Sequence, residues 1–100
     1  MLNVTPRLNN VFVAMLVEVF QDGALSSKVK ELIAIAASLT AGCGKCAASH
    51  TEIARQYGAT EEEIREAIAV AEVIAAGSVR SLASGLPNAG GTVGCCRGGE

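Results

Sequence analysis

Helix punctuation is what most restricts this chain. Thr5-Pro6 joins a hydroxyl cap to a proline that loses nothing in a first turn, Ser26-Ser27 supplies a second cap, and Thr60-x-x-Glu63 is a capping box. Gly23 and Gly58 are stop signals. Between these marks apolar residues recur at helical spacing, and no stretch alternates with the two-residue period of a strand. The predicted fold class is therefore all-α, a compact set of antiparallel helices.

The first helix is expected from Pro6 to Asp22. It is apolar nearly all round between Val11 and Phe20, with Glu18 the exception, and so must be covered on more than one side. The second runs from Lys28 to Ala41 and places Val29, Leu32, Ile33, Ile35, Ala36 and Leu39 in a broad buried stripe. A third runs from Cys43 to Tyr57. A fourth follows Thr60 to about Ala76, and Ser78 to Ser84 forms a further short helix beyond Gly77.

At 100 residues the chain fits one domain over residues 1–84, with a small core that favours a homo-oligomer. Residues 85–100 hold six of the eleven glycines, with Pro87, Asn88 and Cys95-Cys96, and are expected to form a flexible tail. A formal net charge of -2, one Tyr, two Phe and no Trp argue against nucleic acid as a partner. The seven-residue apolar run Val11–Val17 is too short to span a bilayer and is closed by Glu18, so no membrane association is expected. Reading it as a secretion signal, between Arg7 and Ala24, would remove about a quarter of a small core, and the cytoplasm is the expected compartment.

Four cysteines in a chain rich in Ala, Val, Ile and Leu do not describe a secreted disulfide scaffold. Cys43, Cys46 and the lone histidine, His50, lie three, four and seven residues apart, so a helix gathers two thiols and an imidazole on one face. A helix N-terminus favours the thiolate, and two thiols at this spacing can close a disulfide, one attacking and the other resolving. His50, one turn beyond Cys46, is placed to take its proton. A hydroperoxide would oxidise one sulfur to a sulfenic acid, which the other condenses into the disulfide. Glu31 is the only acid in the second helix, and an antiparallel packing of helices two and three brings it within reach to complete a proton relay.

Two other readings stand beside this one. Cys43, Cys46 and His50 offer three zinc ligands, with Cys95 or Cys96 as a fourth, in a structural or interaction module. Glu31 can also be a solvated acid paired with Lys28 or Lys30. Glu61, Glu62 and Glu63 belong to helix capping.

Glu31, eleven intervening residues, Cys43-x-x-Cys46-x-x-x-His50, then Ala54-x-x-x-Gly58 and Thr60-x-x-Glu63-Ile64 resemble the AhpD-like alkylhydroperoxidases of the carboxymuconolactone decarboxylase superfamily, over roughly Leu25 to Ala76. The resemblance implies an all-helical fold and a peroxidase cycle that needs no cofactor. Cys46 would attack peroxide and Cys43 resolve it, Glu31 and His50 would form the relay, and a dithiol such as a lipoylated protein would be the reductant. Dipole reasoning alone favours Cys43 as the more acidic thiol, whereas adjacency to His50 and the family pattern favour Cys46. The family also implies assembly as a hexamer or trimer, which suits the apolar first helix. Lys45 departs from the aromatic or histidine that many relatives carry between the cysteines. The lactone decarboxylase branch generally lacks the cysteine pair, so decarboxylation or another reaction on the same fold is the alternative that the pair argues against.

Overall fold

The computed structural model describes residues 5–87 and contains four helices and no strand among them: α1 (Pro6–Val19), α2 (Ser27–Thr40), α3 (Gly44–Gln56) and α4 (Glu61–Ala83). The caps lie where the hydroxyl residues predict them. Thr5 Oγ1 accepts from Leu8 N–H, Ser26 Oγ from Val29 N–H, and Thr60 and Glu63 close a reciprocal capping box. Each satisfies backbone donors that a first turn would otherwise leave bare.

Two glycines end helices in the left-handed region, Gly42 at φ 82° and Gly58 at φ 91°. After α3, Ala59 N–H returns to Ala54 O at 2.9 Å, so Gly58 turns the chain and Ala59 tucks under the helix it has just left. After α2, Cys43 N–H reaches Ser38 O at 2.8 Å, and three residues reverse the chain into α3. The short connection makes α2 and α3 a helical hairpin.

α2 is the central element and packs against both α3 and α4. The core is small: Ile35, Ala54, Ala59 and Ile64 are buried together, with Leu32 and Ile68 partly buried against them. Alanines on α3 and in the following turn let the helices approach closely, and Ile35, 1% exposed, fills the centre.

The observed elements correct the sequence reading in three places. α1 ends at Val19 with Phe20 as its C-cap, not at Asp22, because Asp22 and Ser27 draw the chain into a turn. Gly77 does not interrupt the last helix: α4 continues to Ala83, and the separate short helix over Ser78–Ser84 is its final turns. A helical glycine costs only about 1 kcal/mol relative to alanine, which a 23-residue helix absorbs. Of the expected α2 stripe only Ile35 is fully buried, while Ile33 and Leu39 are exposed.

α1 has no buried residue at all. Leu8, Val11, Val13, Met15, Leu16 and Val17 all face outward in the single chain. Cys95 and Cys96 and most of the expected tail lie outside the described residues.

Candidate active site

The α2–α3 hairpin assembles the site. Cys43 is the N-cap of α3 and Cys46 sits in its first turn, where Cys46 N–H is 3.1 Å from Cys43 Sγ. The two are joined as a disulfide, with Cα atoms 5.2 Å apart. Cys46 is exposed and Cys43 half-buried, so the bond lies at the surface of the single chain. The helix N-terminus behind it favours any negative charge that develops when the bond opens.

One turn further along α3, His50 reaches across to α2. Its Nδ1 lies 2.7 Å from Glu31 Oε1, and Glu31 is only 4% exposed. A carboxylate removed from water needs a partner, and His50 meets that need. When the carboxylate is ionised it can only accept, in which case Nδ1 carries the hydrogen and Nε2 is the nitrogen left to exchange protons. His50 stands four residues, about one turn, beyond Cys46 on α3, so the two share a helix face.

Glu31 is therefore not a solvated partner of the neighbouring lysines. Lys28 pairs with Glu63 at 3.0 Å. Lys30 Nζ instead donates to Val19 O and Gln21 O at 2.8 and 2.6 Å, covering carbonyls at the end of α1. Among the described residues the α2–α3 hairpin carries two pairs, Glu31 with His50 and Cys43 with Cys46. Lys45 projects from the same first turn and is exposed.

In the sequence Phe20 enters only as the end of the apolar run of the first helix, not as a site residue. Its ring stacks on His50, with centroids 5.5 Å apart and planes 15° from parallel. The turn that carries it is closed by Ser27, whose hydroxyl donates to Phe20 O and whose N–H donates to Asp22 Oδ1, both at 2.7 Å. The donated backbone hydrogen bond from Ser27 holds the Asp22 carboxyl below its usual range, with the Ser27 side chain and the Lys30 charge acting in the same direction. An aromatic at a helix end beside Asp and Gly reads as ordinary core, and only the contact with α3 separates it from that.

No group of three or more His, Cys, Asp or Glu side chains among the described residues is arranged to hold a metal ion. No described helix is long and apolar enough to cross a membrane.

Comparison with known proteins bears on the same segment. The carboxymuconolactone decarboxylase family model matches residues 6–86. A protein of Paracoccus denitrificans named "uncharacterized protein 4 in cox locus" is 40% identical over 53 residues, covering 53% of this chain and 48% of that protein. The aligned region thus spans about half the length of that relative. No solved structure matches the chain.

Proposed function

This chain belongs to the carboxymuconolactone decarboxylase family, and on that premise we propose that it is a thiol-dependent oxidoreductase that reduces hydroperoxides, or disulfides, through the Cys43/Cys46 pair. The observation that carries the reading is the surface disulfide at the start of α3 with the Glu31–His50 pair one turn behind it.

In the reduced enzyme the Cys46 thiolate attacks one peroxide oxygen. The O–O bond breaks, the alcohol leaves with a proton delivered by His50, and Cys46 becomes a sulfenic acid. Cys43 then attacks that sulfur, the S–S bond forms and water departs. Two electrons have passed from two thiols to the peroxide. A dithiol reductant, free or carried on a lipoylated protein, reopens the disulfide by exchange and is itself oxidised. Glu31 keeps its proton-accepting edge on Nδ1 through each step, so His50 cycles through Nε2.

The Cys43–Cys46 bond and the Glu31 contact favour this reading over a zinc module, since the first occupies both thiols and the second occupies one imidazole nitrogen. Assembly belongs to the same proposal. The apolar α1 and the open groove of about 560 Å³ between α2 and α4, walled by Leu32, Ile33, Ala67, Val70 and Ile74, are surfaces that further copies of the chain would cover.

The test is intact mass with thiol alkylation before and after addition of an alkyl hydroperoxide. The expected result is stoichiometric loss of two thiols, mapped to Cys43 and Cys46, and no turnover with a dithiol in Cys46→Ser. Unimpaired turnover in that variant, or bound zinc that blocks both thiols, would overturn the proposal.

A further inference from the structure

The turn between α1 and α2 is held far more firmly than a connection of this length needs. Lys30 Nζ grips the carbonyls of Val19 and Gln21, the residues on either side of Phe20. Ser27 grips the Phe20 carbonyl itself, and Asp22 holds Ser27 in turn. Ser27 and Glu31 are the two buried polar residues among those described. Both lead to His50: Glu31 binds the edge of its ring, and Ser27 fixes the residue stacked on its face.

The division of labour follows from geometry. A single hydrogen bond at Nδ1 fixes one atom of the imidazole but leaves the ring free to swing about that contact. A near-parallel aromatic face removes that freedom, because swinging the ring would break the stack. With edge and face both held, Nε2 keeps one direction.

We propose that Phe20 is a positioning residue for His50, locked by the Asp22–Ser27–Lys30 turn so that the imidazole meets Cys46 in one orientation. The proposal rests on the reading of Cys46 as the reacting thiol, and it adds a residue from outside the α2–α3 hairpin to the relay. In this role Phe20 acts only through the ring it supports.

His50 is the only histidine in the chain, so its ring protons give a single set of imidazole signals in a proton NMR spectrum. In the reduced wild-type protein those signals are expected upfield of their position in the unfolded chain, displaced by the ring current of Phe20. Phe20→Leu is expected to return them and to slow single-turnover oxidation of the two thiols by hydroperoxide about tenfold or more. Phe20→Tyr, which restores a ring, is expected to recover both. Should Phe20→Leu not fold, Ser27→Ala decides by the same readouts, since it keeps the ring and frees its backbone. Should the wild type not react with peroxide, the Proposed function fails separately. The same variants are then ranked by the rate at which dithiothreitol reduces the disulfide, with the same order expected. Wild-type signals without an upfield shift, or a Phe20→Leu protein that loses the shift yet reacts at the wild-type rate, overturn the proposal.

Discussion

A carboxylate as buried as Glu31 has to be explained by its partner, and here the partner is the chain's single imidazole. That pairing was legible in the sequence because Glu31 is the one acid in its helix and His50 the one histidine, leaving few combinations to weigh. Cys43 and Cys46 were legible because a three-residue spacing on a helix has few meanings. Phe20 was not, since its contact with His50 crosses thirty positions and nothing local announces it. Asp22 belongs with it and makes a prediction about acid. Folding holds the Asp22 carboxyl below its ordinary value of 3.8, so the folded state favours the ionised form. The unfolded chain takes up the proton first, so the stabilisation is whole above that value and disappears as pH falls through the depressed one. Acid unfolding followed by circular dichroism is expected to be shallower below about pH 3.8 in Asp22→Asn, with no change in pH dependence near neutrality.

The helices were legible wherever a local rule sets them. Thr5, Ser26 and Thr60 cap as hydroxyls do, and Gly58 stops α3 because only glycine takes φ 91° without cost. They were misread where local and global preferences part. Gly77 looks like a break, yet α4 carries on through it. Gly58 gives the clearest measurement at this scale. A Cβ built there meets no atom within 4 Å, so an alanine would suffer from backbone strain alone. Gly58→Ala is expected to destabilise the protein by about 1–2 kcal/mol, seen as a lower Tm in calorimetry with the Glu31–His50 site otherwise intact. An unchanged Tm would mean that the turn after α3 relaxes into another conformation.

α1 packs no side chain into the core of its own chain. An amphipathic pattern reports that a face is apolar but not which molecule covers it, so the covering of α1 could not be read from sequence. Self-association through α1 predicts that Val17→Glu, placed on this exposed apolar surface, lowers the sedimentation coefficient toward that of a single chain. A wild-type protein that already sediments as one chain would remove assembly from the proposal.

Phe20 caps the C-terminus of α1 and stacks on His50. A helix with an exposed apolar surface thus ends on the residue proposed to hold the imidazole. If neighbouring chains fix the angle at which α1 leaves its turn, association sets how fast the thiols react. If the chains also bind one redox state of the cysteines more tightly than the other, association shifts the redox equilibrium, and that redox state in turn sets how tightly the chains hold together, by the same factor.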